Sequence, residues 1–315
     1  MNLDGVIEPP TTLGSARYFR VSYLPTYAAL LLLLVIVWAG GRAWWTTDRI
    51  SFKAAWKTAS GLGAGEVVVL FVAVTLAALV LFHLQPPLVA VLSGGWPRWL
   101  GSGLALRLQR RRYRSWRRRT LLPQREAELT DAVVQRAGQA AARLRRRFPL
   151  AEHLLRPTAL GNALAAATDG AGRAYGIDAA AVWPRIYPVL GDPVRNLVDD
   201  RRDALDSTAR LAATLTVTGL GTALLLGWSG WWALLALAPL TGAAACYVAA
   251  VRAAEAYGEL VHVAFDLHRF ELLDALRVRM PDTAAAQHAA FRQLSDLWRQ
   301  NVPATLEYTE GRVAS

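Results

Sequence analysis

At 315 residues the chain has room for one large domain or two small ones. Hydrophobic residues make up 54% of it and charged residues 19%, a balance too apolar for an ordinary water-soluble domain and suited to membrane spans. Its formal charge of +11 is carried almost wholly by arginine, Lys53 and Lys57 being the only lysines, and its single cysteine, Cys246, excludes an internal disulfide or a cysteine-clustered metal site.

Such a basic balance fits nucleic acid or an anionic membrane surface, and the placement of the charge along the chain favours the membrane. The preference for Arg over Lys and for Ala over Ile also fits a GC-rich bacterial genome. Residues 1–20, with Pro9, Pro10 and Arg17, read as a polar lead lacking the cationic start of a secretory signal. The apolar run at 21–38 therefore reads as a permanent span. A second run covers 67–92 across Gln85-Pro86-Pro87, where the prolines predict a kink or an end near an interface. About 20 helical residues cross a hydrocarbon core of about 30 Å, so each run is long enough.

Runs at 211–228 and 231–251 are separated only by Ser229 and Gly230, which requires an antiparallel hairpin. Trp228, Trp231 and Trp232 gather at its tip. Trp38, Trp44 and Trp45 mark the matching end of the first span, and Trp96 and Trp99 the opposite end of the second. Indoles settle at these depths in a bilayer. Orientation comes from Arg110, Arg111, Arg112, Arg114, Arg117, Arg118, Arg119, Arg145, Arg146 and Arg147, all between the second and third spans. The positive-inside tendency puts that loop in the cytoplasm and, with four spans, both termini with it. Arg42, Arg49, Lys53 and Lys57 pull the other way but are fewer; with Ile50, Phe52 and Trp56 they predict a segment lying flat on the outer surface. The resulting segments are 1–95, a transmembrane hairpin; 96–208, an Arg-rich cytoplasmic helical domain; 209–252, a second hairpin; and 253–315, cytoplasmic helices.

Leu129, Val133, Ala137, Ala140, Leu144 and Phe148 recur at helical spacing and predict an amphipathic helix. The charged stretch 193–208 should run straight into the third span, and the fourth should continue past Arg252 through Leu260, Val263, Leu267 and Phe270 until Pro281 stops it. Asp282 or Thr283 is placed to cap a last helix reaching about Gln300. No strand alternation appears.

Residues 157–185 do not reduce to spanning or simple helix packing. Pro157-Thr158 opens a helix with Leu160, Leu164 and Ala167 on one face. Asp169 to Gly172 form a turn, and Asp178 caps a helix that carries Trp183 and is limited by Pro184. Asn162, Arg173, Asp178 and Arg185 suit either an anion site or the capping of the fold itself. The groups Pro157-Thr158, Leu160-Gly161-Asn162, Tyr175-Gly176-Ile177-Asp178, Trp183-Pro184-Arg185 and Ala264 to Phe270 (AFDLHRF) resemble a family of uncharacterised bacterial integral membrane proteins over roughly 150–300. The resemblance implies a membrane location and no activity. Thr168 stands where that family usually carries an acidic residue.

Glu259 and His262 form one E-x-x-H step with Asp266 a turn further on, but a carboxylate-bridged di-iron bundle needs a second such step. Gly61, Gly63 and Gly65 lack the preceding strand of a nucleotide loop. No nucleophile elbow or phosphate-loop lysine motif is present. The 110–119 arginines, beside a bilayer, bind anionic headgroups at about 1 kcal/mol each rather than nucleic acid.

These features predict an all-α polytopic protein of the bacterial inner membrane, with two transmembrane helical hairpins and a cytoplasmic helical domain. It would be non-enzymatic, without cofactor or metal, and would bind anionic headgroups and a protein partner or further copies of itself. Asn162, Arg173, Tyr175, Asp178, Trp183 and Arg185 would form its ligand or partner surface. The alternative is a homo-oligomeric channel or membrane-perturbing effector. Thr214, Thr218 and Thr222 would line its pore, and Asp203 and Asp206 would ring its inner mouth. Close helix packing through small and hydroxyl residues is the commoner reason for such a threonine row.

Overall fold

A computed structural model describes residues 24–40, 50–96, 101–123 and 130–309. Among them every regular element is helical: α1 Leu24–Trp38, α2 Phe52–Ser60, α3 Ala64–Leu92, α4 Ser102–Arg119, α5 Asp131–Arg147, α6 Ala159–Gly170, α7 Ala179–Ile186, α8 Asp192–Leu226, α9 Leu237–Ala275 and α10 Ala284–Gln300. The one extended pairing among them is an isolated antiparallel bridge between Val278 and Tyr308. The expectations resting on residues 1–23, Arg42, Trp44, Trp45, Arg49, Trp99 and Leu129 lie outside the described residues.

The chain divides into two compact units, residues 1–89 with 207–246, and residues 90–206 with 247–315. Among the described residues three segments are long and apolar enough to cross a membrane: Ala64–Leu81, Asp192–Leu226 and Gly230–Ala275. The 15 residues of α1 rise only about 22 Å, less than a hydrocarbon core of about 30 Å, so a fourth span is not among the described elements.

In the first unit, α3 turns Val68, Val69, Phe71, Leu76 and Val80 outward, a continuous apolar surface of the kind that lipid covers. Pro86 and Pro87 do not end this helix, which continues through both to Leu92. Their missing N–H groups leave only the carbonyls of residues 82 and 83 without helical donors. The buried Gln85 beside them donates its amide to Thr26 Oγ1 of α1 at 2.9 Å. Glycines bring the remaining helices close. A Cβ at Gly219 would lie 2.6 Å from Leu240, and one at Gly221 would lie 3.2 Å from Leu33. After Ser229 the chain makes a 3-10 stretch, Gly230–Ala236, before α9 begins, and Trp231 stacks on Trp232 with ring centroids 4.1 Å apart. Trp228 and Trp231 are exposed there.

The second unit holds α4 to α7 and α10 with the charged parts of α8 and α9. Its core is Leu160, Val182, Ile186, Val198, Phe265, Leu272, Leu273 and Phe291. The amphipathic face read for α5 is present, with Ala137, Ala140 and Phe148 buried. As the charge pattern predicts, α8 is one helix from Asp192 through the apolar run, and Thr283 caps α10 by accepting from Ala286 N at 3.1 Å. Pro281, however, does not stop α9. The helix ends six residues earlier in a Schellman turn: Arg277 takes φ +54°, Val278 N donates to Leu273 O and Arg277 N to Asp274 O, both at 2.9 Å. Pro184 likewise fails to limit α7, which continues to Ile186 and then tightens into a 3-10 turn over Tyr187–Val189.

Candidate functional site

Residues 157–185 build the middle of the second unit. Thr158 caps α6, its hydroxyl accepting from Gly161 N at 3.1 Å. Gly161 lies so close to the end of α3 that a Cβ there would stand 2.2 Å from Ser93 O. Asn162 is fully buried and folds its amide back onto the preceding loop. Its Oδ1 accepts from Arg156 N at 2.7 Å, while Nδ2 donates to Arg156 O at 3.0 Å and Thr158 O at 2.9 Å. The turn after α6 uses Gly172 (φ +70°) and Gly176 (φ +77°), conformations that glycine adopts cheaply.

The other polar residues of this stretch have separate partners. Arg173 pairs with Asp169 one turn back. Tyr175 donates to Asp266 Oδ1 of α9 at 2.9 Å and lies under the Arg269 guanidinium at 4.3 Å. Accepting that bond, the Asp266 carboxylate raises the phenol above its ordinary pKa. Asp178 caps α7 through Ala180 N at 3.1 Å and pairs with Arg299 of α10 at 2.8 Å. Trp183 packs against Tyr187, Tyr257 and Phe265, with centroids 5.9 to 6.5 Å away. Arg185 donates to Ala181 O at 2.7 Å and covers Trp298 at 4.5 Å. Asn162, Arg173, Asp178 and Arg185 thus have separate partners, and each fastens this stretch to itself or to α10.

Thr214, Thr218 and Thr222 are buried within the first unit, and Thr218 donates back to Thr214 O at 2.7 Å. Along the apolar part of the same helix Val217, Leu220 and Leu224 are exposed. Asp203 is exposed and Asp206 half-buried in the second unit. Glu259 of the E-x-x-H step pairs with Arg146, and His262 packs on Gly170, where a Cβ would lie 2.9 Å from the ring. No group of three or more metal-ligating side chains occurs among the described residues.

A cavity of about 450 Å³ opens in the second unit between α4, the end of α5, the start of α6 and α9, a size typical of small-molecule sites. Compared with protein-family models, curated proteins and solved structures, the chain matches none. Gln109, Arg112 and Trp116 face the cavity because spacings of three and four place them on one side of α4. Tyr247, Val248, Val251 and Arg252 face it from α9 by the same periodicity. The walls are held by Tyr113, which packs on Phe148 and donates to Leu150 O at 3.0 Å, and by ion pairs of Arg114 with Glu152 and of Arg147 with Glu255 at 2.7 and 2.8 Å. In the sequence Arg112 and Arg147 stand out only as members of arginine runs, Phe148 only as part of an amphipathic face, and Arg252 only as a charge after the fourth apolar run. Tyr247 and Arg252 are far along the chain from Gln109, and nothing local announces that they meet.

Proposed function

We propose that this chain is a non-enzymatic, multi-pass protein of a bacterial inner membrane, with both termini in the cytoplasm. Its second unit would be a cytoplasmic helical module that receives a protein partner, a ligand or another copy of the chain. One observation carries this reading. At 35 and 39 residues, α8 and α9 rise about 52 and 58 Å, well beyond a hydrocarbon core of about 30 Å. Each is charged over one part and free of charge over the other, since no Asp, Glu, Lys or Arg lies between Arg210 and Arg252. Such helices suit elements that are half span and half stalk. The occupation of every polar side chain at 157–185 by structural contacts supports a rigid module rather than a catalytic centre. The resemblance carried by the LGN, YGID, WPR and AFDLHRF groups agrees with this location.

Fractionation of cells and a tag inserted near Ser115 test the proposal. The chain should stay with membranes until detergent is added, and the tag should be reachable only after permeabilisation. A chain that remains dissolved without detergent would sink it. The channel reading draws on Thr222, whose buried Oγ1 has no hydrogen-bond partner among the described residues. Burial of the whole threonine row within one chain supports packing instead. Ion flux into liposomes that falls with Thr218→Leu would reverse that preference.

A further inference from the structure

We infer that the cavity of the second unit is a binding site for the phosphate of an anionic phospholipid headgroup, an inference that rests on the membrane reading above. Three guanidinium groups border it. Arg112 and Arg252 form no ion pair among the described residues. Arg147 is held through Nε by Glu255, which leaves its two terminal nitrogens for a fork onto phosphate oxygens. Between them lies Gln109, only 8% exposed, whose amide makes no hydrogen bond among the described residues. So nearly enclosed a side chain without a protein partner has its amide left to bond with whatever enters the cavity.

Two further donors converge there. Ala159 borders the cavity as the first residue of α6, whose positive dipole end attracts anions. The Gly161 and Leu160 amides are already satisfied, by Thr158 Oγ1 and by Tyr247 Oη at 3.2 Å, whereas the Ala159 N–H has no partner among the described residues. Because Tyr247 Oη accepts from Leu160, its own hydrogen remains to donate. The side chains that line the cavity thus offer three cations, the neutral donors of the Gln109 amide and the Tyr247 hydroxyl, and no carboxylate; Glu255 lies outside the lining, 2.8 Å from Arg147.

The remaining wall distinguishes a lipid from a dissolved phosphate. Val248, Val251, Phe148 and Trp116 give the cavity an apolar side, and Arg252 is the first charge after the long uncharged stretch. A phosphate set beside an apolar wall, where a span leaves the hydrocarbon, matches a headgroup with its acyl chain.

The test uses the full chain in nanodiscs of equimolar phosphatidylcholine and phosphatidylglycerol, followed by native mass spectrometry. One phosphatidylglycerol should be retained per chain, with phosphatidylcholine retained at least about tenfold more weakly. Arg112→Gln with Arg252→Gln should abolish that retention, and Val248→Trp, which fills the apolar side without altering charge, should do the same. Arg117→Gln with Arg118→Gln removes the same charge away from the cavity and should leave it intact. Equal loss in that control would reduce the effect to diffuse charge and overturn the site, as would equal retention of both lipids. Full displacement by dissolved glycerol phosphate would overturn the lipid assignment in favour of a free phosphate ester. A chain that integrates into membranes but retains no lipid defeats this inference alone, whereas one that never integrates defeats the membrane reading.

Discussion

Asn162 offers the sharpest test of how the second unit is fastened. Replacing it by alanine removes three hydrogen bonds at once, to Arg156 N, Arg156 O and Thr158 O. Thr158 O keeps a donor in Asn162 N at 3.1 Å, but both backbone groups of Arg156 lose the amide in a place where the side chain was wholly excluded from water. At about 1 kcal/mol net for each bond the loss is about 3 kcal/mol, rising towards about 5 if water does not reach Arg156. For a unit of this size that lowers the unfolding midpoint by about 6 to 12 °C. Thermal unfolding in detergent, followed by tryptophan fluorescence, reads the change. Asn162→Asp makes the test directional. It keeps the acceptor for Arg156 N but points a carboxylate oxygen at two carbonyls, so it should be at least as unstable as alanine at neutral pH. It should recover partly in acid, where the protonated carboxyl can donate. A shift below about 2 °C for Asn162→Ala would refute the reasoning, as would indifference of Asn162→Asp to pH.

Three other perturbations follow from single contacts. Gly161→Ala would drive a methyl into Ser93 O, a backbone atom that cannot swing away, and should cost at the upper end of about 1–3 kcal/mol; Gly138→Ala, in open space on α5, should instead stabilise by about 0.5–1 kcal/mol, so thermal unfolding of the pair separates packing from propensity. Asp178→Ala removes the cap of α7 and the Arg299 partner together and should cost about 1–2 kcal/mol, with Arg299→Ala costing less in the same assay. Burial, and then the bond it donates to Asp199 at 2.6 Å, push the Tyr187 phenol up to about 12. The folded pKa lies above the ordinary value near 10, so the protonated phenol's contribution is complete below about pH 10 and lost as pH rises through about 12. Unfolding titrations should show Tyr187→Phe flatter than the natural chain in that window, and parallel curves would refute the assignment.

How much of this could be read in advance depends on whether the deciding interaction is local. The continuity of α8 was legible because a charged helical pattern meets an apolar run with no Gly or Pro between them. A cap at Asp282 or Thr283 was legible because both precede an uninterrupted run of good helix formers, and Thr283 is the one that makes the bond. The end of α9 was not. Its Schellman turn uses Arg277 where glycine is the usual signal, and the visible breaker, Pro281, lies beyond a helix already closed. As signals of a helix end, Pro86, Pro87 and Pro184 mislead for the opposite reason. A proline removes one bond and restricts its predecessor, and the surrounding helix outweighs that where the freed carbonyl costs little.

The same distinction separates the polar residues at 157–185 from the cavity. The sequence singles out these residue types, but their partners Asp266 and Arg299 lie 91 and 121 positions from Tyr175 and Asp178. A capping role and an anion-binding role therefore look identical along the chain, and only the tertiary partners decide between them. In the cavity the residue types are ordinary and their meeting is what matters. Arg112 differs from its neighbours Arg111 and Arg114 in nothing that composition can register. It is distinguished by what shares its space: an unpartnered Gln109, a hydroxyl with a hydrogen to give, and a helix start with one amide left over. Convergence of unspent donors, rather than the density of arginine, is what separates a built anion site from a merely basic surface.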